Sequence, residues 1–235
     1  MLTKDQISKN LRKIKQEIEE AKNQSGRKED NIILVAVSKL QPAEYIKWAI
    51  EDGHRDFGEN YVQEALKKME DISEPDVNFH FIGRCQTNKA KYIAGNFSMV
   101  HSVDSLKFAK ELDKRCEKKD YYQDILIEVN VAKEETKGGV LEQDLEKFTE
   151  ALLKECSRLK IKGLMCMPPY MEDPEKVRPY FAKLRKLKED LEQKLKISLP
   201  HLSMGMSSDF KQAILEGATI VRIGTKIFGE RQYKK

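Results

Sequence analysis

Near its C-terminus the chain reads Leu202-Ser-Met-Gly-Met-Ser-Ser-Asp209 and then Val221-Arg-Ile-Gly-Thr-Lys-Ile-Phe-Gly229. Each stretch places hydroxyls and a glycine at the end of a short apolar run. That combination suits an anion, because hydroxyls and backbone N–H groups can both bond it and glycine lets the backbone come close. Ser207 and Ser208 stand where an N-cap would precede the apolar spacing Phe210, Ala213, Ile214, and a helix start presents unpaired N–H groups. Arg222, Gly224 and Thr225, after the strand-like run 218–221, form the opposite arm. A third group comes from far upstream. Lys39 follows directly on Leu34-Val-Ala-Val-Ser38, so a primary amine leaves a buried strand at its C-terminal end.

An amine beside a phosphate cradle points to pyridoxal 5'-phosphate (PLP). The amine adds to an aldehyde only when unprotonated, and partial burial beside Arg222 would lower its pKa. A lysine after a strand, taken alone, is a solvated charge; the two anion loops are what make Lys39 the candidate imine former. A phosphosugar held by the same loops without a covalent bond is the competing reading.

Strands and helices must alternate to bring these groups to one place. Ile7, Leu11, Ile14, Ile18 and Ala21 recur at helical spacing after Thr3, which with Gln6 fits a capping box, and this helix ends near Gly26. The run 31–37 is, after Asn31, a continuous series of β-branched and other apolar residues, as a strand buried on both faces is. Pro42 opens a helix through Trp48 and Ile50; a short strand follows at 53–57, then a helix through Val62, Leu66 and Met69. The alternation continues with strands at 77–82, 98–103, 123–131 and 161–166, and with helices at 88–94, from Asp104, at 141–153, and from Pro174 to Leu195. Strands near His201-Leu202 and at 218–223 complete it. Eight strand-like runs with intervening helices predict a single (β/α)8 TIM-type barrel with an extra N-terminal helix, one domain over 1–235. In such a barrel, function collects at the C-terminal ends of the strands, and phosphate binds after the last two.

Composition narrows the function further. The chain has 235 residues with 40% hydrophobic content, enough for one sizeable core. Charged residues make up 35%, yet 43 basic against 39 acidic leave a net charge of only +4, intermixed along the chain. That is a solvated surface rather than a nucleic-acid face. Cys85, Cys116, Cys156 and Cys166 show neither C-x-x-C spacing nor a nearby histidine, which argues against a zinc or redox site. No apolar run approaches a membrane span and Met-Leu-Thr-Lys-Asp opens no signal peptide, so the expectation is a cytoplasmic protein without membrane contact. No helix shows an apolar seam, and a monomer is expected.

Taken together, Val35-Ala-Val-Ser-Lys39, Phe57-Gly-Glu-Asn-Tyr-Val-Gln-Glu64, Phe79-His-Phe-Ile-Gly83 with Gln86-Thr-Asn-Lys89, His101-Ser-Val-Asp104, Gly163-Leu-Met165, Leu202-Ser-Met-Gly-Met-Ser207 and Val221-Arg-Ile-Gly-Thr225 resemble the pyridoxal-phosphate homeostasis proteins, the YggS/PROSC-like family. The resemblance covers most of the chain and implies the fold-type III barrel, similar to the N-terminal barrel of alanine racemase. It makes Lys39 the Schiff-base lysine, gives Ser207, Gly224 and Thr225 the phosphate, and sets Arg222 against the pyridine nitrogen. Asn60 would contact the ring or its hydroxyl, between Met204 and Phe57 as apolar walls; turn chemistry and core packing are the competing readings of these three. His80 and His101 read as buried histidines bonded to a neighbouring backbone group rather than as catalytic bases. Lys137, in Lys133-Glu-Glu-Thr-Lys-Gly-Gly139, matches the family's glutamate/lysine/glycine loop and reads as a solvated charge near the mouth. Family members usually carry tryptophan at Phe79, leucine at Cys85 and threonine at Leu40, departures that touch packing more than the cofactor.

A racemase needs two bases on opposite faces of the cofactor plane. Alanine racemases take the second from a β-rich domain for which a chain ending at Lys235 is expected to leave no room. The resemblance therefore implies a non-enzymatic protein that stores and delivers PLP, with PLP-dependent apoenzymes as recipients. The alternative is a small racemase or decarboxylase using water or a loop tyrosine such as Tyr170.

Overall fold

Eight short strands, β1 (Ile33–Val37), β2 (Asp56–Glu59), β3 (Asn78–Phe81), β4 (Met99–Val103), β5 (Gln123–Glu128), β6 (Leu159–Met165), β7 (His201–Ser203) and β8 (Ile220–Ile223), pair in sequence order and all in parallel in a computed structural model. β1 closes on β8, Leu34 opposite Val221 and Ala36 opposite Ile223, so the expected TIM-type barrel is present. The structure describes residues 2–72, 74–134 and 137–230.

Helices α1 (Lys4–Gln24), α2 (Ala43–Glu51), α3 (Val62–Glu70), α4 (Ala90–Ile93), α5 (Leu106–Lys118), α6 (Leu145–Glu155), α7 (Arg178–Leu195), α8 (Phe210–Leu215) and α9 (Thr225–Phe228) surround the strands. The capping box expected at Thr3 and Gln6 is formed. Several helices start later than the apolar spacing predicts, since α4, α6 and α7 are each preceded by a turn of 3-10 helix, at Thr87–Lys89, Glu142–Asp144 and Pro174–Val177. The fifth begins after Ser105 rather than at Asp104, because the Ser105 hydroxyl accepts from the Phe108 N–H.

Strand alternation divides the apolar residues into two populations. Val35, Met99, Leu126, Met165 and Ile220 meet inside the barrel. A larger set, including Phe57, Phe81, Leu164, Leu202 and Met204, faces outward into the helix layer. Polar residues also occupy the interior: His80, His101, Ser203 and Arg222 are all nearly or fully buried. Every one of the four thiols is free, and burial pushes those of Cys116 and Cys156 up to about 11 and Cys166 up to about 12, which keeps them protonated and inert. Among the described residues no helix is long and apolar enough to cross a membrane, and no cluster of ligating side chains could hold a metal ion.

Candidate functional site

A cavity of about 330 Å3 opens at the C-terminal ends of the strands, lined by Lys39, Asn60, Tyr170, Ser207, Ser208, Arg222, Gly224 and Thr225 and walled by Val37, Ile82, Met167 and Met206. Of the residues singled out in the sequence, Lys39, Asn60, Ser207, Arg222, Gly224 and Thr225 thus come together. Met204 and Phe57 do not. Both are fully buried in the outer layer, because Ser203 and Gly58 take the inward positions next to them. The apolar walls come instead from β1, from the segment after β3, and from the loops after β6 and β7.

The anion arms also differ from expectation in one detail. The N-cap of α8 is Asp209, not Ser207 or Ser208, and its Oδ1 accepts from the Met206 N–H at 2.6 Å. Asp209 therefore fixes the loop and leaves both serines on the cavity wall. Gly205 at φ +89 lets the loop fold tightly onto α8, since a Cβ there would stand 2.5 Å from Ala213 Cβ. The Arg222 N–H donates to Gly205 O at 3.0 Å and ties the loop to β8. Within the described residues, the backbone N–H groups of Ser207, Ser208, Gly224 and Thr225 bond no other backbone group. Four donors on two facing loops, with hydroxyls beside them, form a cradle for a phosphate. α8 and α9 have only six and four residues, so the cradle owes its donors to the loops rather than to a helix dipole.

Lys39 is held by a buried network that the sequence reading missed. Lys68 Nζ donates to Ser38 O at 2.7 Å, to Glu59 Oε1 at 2.7 Å and to Glu64 Oε1 at 2.6 Å. The Ser38 hydroxyl donates to Glu59 at 2.7 Å, and the Leu40 N–H donates to Glu64 at 2.6 Å. These bonds clamp the chain on either side of Lys39 and stabilise Leu40 in the left-handed region at φ 59. The signal available in the sequence was the (i, i+4) pair Glu64 and Lys68 on α3.

Asn60 lies between two cavities, and its Oδ1 is buried without a partner. A buried acceptor left open on a cavity wall fits a ligand that brings a donor. Gly83 makes this approach possible, because a Cβ there would lie 2.0 Å from the Asn60 carbonyl oxygen. The adjoining cavity, about 390 Å3, is lined by Arg84, Glu128, Lys137 and Gly138 among others. Lys137 thus sits near the mouth as expected, paired with Glu134 at 3.0 Å, while Glu135 and Thr136 of the same loop lie outside the described residues.

Glu128 gives this region a pH dependence. Burial, reinforced by the charge of Asp104 and opposed by Arg222, raises its pKa to about 7. The folded chain therefore keeps a proton that the unfolded chain releases near pH 4.5, so stability falls as pH rises above about 4.5 and the loss is complete once pH has passed about 7. Glu128→Gln removes that loss. At pH 8 the variant is expected to exceed the parent in stability by on the order of 3 kcal/mol, with little difference at pH 4.5, as urea midpoints at the two pH values would show.

Comparison with known proteins agrees with the geometry. The family described as alanine racemase, N-terminal domain, matches residues 4–232. The pyridoxal phosphate homeostasis protein of Aquifex aeolicus is 50% identical over 223 residues, 95% of this chain and 97% of that protein. Its counterpart in Pseudomonas aeruginosa is 42% identical over 227 residues, 97% of this chain and 96% of that one. PipY of Synechococcus elongatus, solved with PLP bound, superposes with a TM-score of 0.83 at 33% identity, covering 95% of this chain and all of that one (100%). An alanine racemase of Clostridium difficile shares the fold alone, with a TM-score of 0.74 at 13% identity over 58% of its own length. The fold, the motifs and these matches place the chain in the pyridoxal phosphate homeostasis protein family.

Proposed function

We propose that this protein holds PLP in the 330 Å3 cavity and serves its homeostasis in the cytoplasm, storing the cofactor and passing it to PLP-dependent apoenzymes, and that it does so as a monomer. The observation that carries this reading is the convergence, on one cavity, of four backbone N–H groups that bond no other backbone group among the described residues, with the amine of Lys39. The names of the curated relatives and the PLP bound to PipY support it.

PLP when bound supplies an aldehyde that condenses reversibly with a primary amine. Lys39 offers that amine, on a segment fixed by Lys68, Glu59 and Glu64. Ser207, Gly224 and Thr225 would bind its phosphate through hydroxyls and N–H groups, Asn60 Oδ1 would accept from a donor on the cofactor, and Ile82 and Met167 would keep water from the pocket. Arg222 would hold the ring nitrogen. A guanidinium only donates, so it would hold that nitrogen as an acceptor and withhold the proton that would make the ring a strong electron sink. The site is therefore built to retain the cofactor rather than to activate a carbon acid.

Tyr170 also lines the cavity, which favours racemase-like chemistry as the second reading. Loaded protein mixed with a PLP-dependent apoenzyme should restore that enzyme's activity, and the same protein in deuterated water should leave the α-proton of a panel of amino acids unexchanged. Exchange abolished by both Lys39→Ala and Tyr170→Phe would establish the enzyme instead.

A further inference from the structure

Inside the barrel, five polar side chains from five strands touch in series. Arg222 Nη1 lies 2.6 Å from Ser203 Oγ, Ser203 Oγ 2.9 Å from His101 Nδ1, His101 Nε2 2.9 Å from His80 Nδ1, and His80 Nε2 3.2 Å from Asp56 Oδ1. Arg222 stands at the ligand cavity, whereas Asp56 begins β2 and lines a separate cavity at the opposite mouth, beside Lys15, His54 and Arg55. The series thus crosses the full height of the barrel.

Its two ends fix its direction. A guanidinium can only donate and an ionised carboxylate can only accept. Ser203 must therefore accept from Arg222, and its single proton goes to His101 Nδ1. His101 Nδ1 being an acceptor, its proton sits on Nε2 and is donated to His80 Nδ1. His80 in turn carries its proton on Nε2 and donates to Asp56. No other arrangement of protons on neutral imidazoles satisfies all four contacts.

We propose that Ser203, His101, His80 and Asp56 are positioning residues of the cofactor site, forming a one-way hydrogen-bond relay that aims the Arg222 guanidinium at its ligand and ends its charge on Asp56. Physical necessity supports the assignment. Arg222 is buried at 4% exposure and forms no ion pair among the described residues, its other bond being from Nη2 to Cys166 O at 2.9 Å. A buried cation requires compensation; the charges of Glu128 and Asp209 act on it through space, and aligned hydrogen-bond dipoles ending on a carboxylate add to that. Burial, with the charge of Arg222, holds His101 well below the usual imidazole range, in agreement with a neutral ring. Asp56 is lowered despite its burial, through its bond to His80.

The effect on PLP rests on the proposed function, but the relay itself is testable in the apoprotein. Nitrogen-15 spectra at neutral pH should show both His80 and His101 neutral with the proton on Nε2, and the Arg222 guanidinium with hindered rotation that His101→Phe releases. A proton on Nδ1 of either ring, or free rotation of Arg222 in the parent, would overturn the proposal whether or not PLP binds. With PLP, His101→Phe is expected to weaken binding roughly tenfold and to shift the absorbance maximum of the bound form. Should that variant fold poorly, Asp56→Asn lies at the barrel's edge and should move both readouts in the same direction by a smaller factor. Asp124→Asn removes an equal charge at the same end, outside the relay, and should move neither. Variants that lose thermal stability while keeping affinity and spectrum would reduce these residues to a structural role and refute the relay.

Discussion

Lys39→Ala is expected to abolish borohydride-stable labelling at the cavity while PLP still binds, roughly ten- to a hundredfold more weakly. The two halves of this result come from separate parts of the structure. Covalent capture depends on one amine, at the end of β1, on a segment clamped between Ser38 and Leu40. Retention of the phosphate depends on N–H groups of loops that follow β7 and β8. Alanine at position 39 leaves those loops untouched, because the bond from the Arg222 N–H to Gly205 O ties the loop after β7 to β8 without involving the Lys39 side chain. Equilibrium dialysis and mass spectrometry of the reduced protein measure the two halves independently. Undiminished labelling would mean that another amine forms the bond, and complete loss of binding would mean that the loops contribute no affinity of their own.

Lys68→Met is expected to destabilise the protein by about 3–5 kcal/mol, the usual cost of stranding a buried charge. The Lys68 side chain is 7% exposed and that of Glu59 is 0%. Glu59 Oε2 already lacks a partner, so removing Lys68 would leave the carboxylate with the Ser38 hydroxyl alone. The loss reaches the site directly, since Lys68 also bonds Ser38 O and the Glu64 carboxylate that orients Leu40. Weakened PLP binding should therefore accompany the lowered urea midpoint. Double replacement of Lys68 and Glu59 by apolar residues should recover stability without recovering binding, which separates the charge penalty from the clamp.

Much of the architecture was legible in the sequence because a parallel barrel buries its strands on both faces, and runs such as 31–37 announce that. Loop chemistry after the seventh and eighth strands was legible too, through serines and glycines at the ends of apolar runs. Side-chain direction was harder. Phe57 and Met204 adjoin site residues in the chain but face away, as the period of two requires once Gly58 and Ser203 are known to point inward; nothing in single-sequence spacing said which set did. The N-cap was misplaced for a similar reason: Ser207, Ser208 and Asp209 are all capping types, and the helix starts after Asp209, whose side chain turns back to the Met206 N–H instead of capping. The clamp of Glu59, Glu64 and Lys68 joins β2 to α3, a contact that sequence order does not show. Leu40 adopts a positive φ, and its N–H is held there by the Glu64 carboxylate. The histidines are buried as read, but they bond side chains rather than the neighbouring backbone expected, and those partners come from four different strands, which sequence order cannot reveal.

The measurement closest to the central claim is peptide mapping of the PLP-loaded protein after borohydride reduction. The geometry predicts one pyridoxyl group per chain, on the peptide that contains Lys39, with visible absorbance lost on reduction. A colourless, unlabelled protein, or a label confined to a lysine outside the cavity, would contradict it.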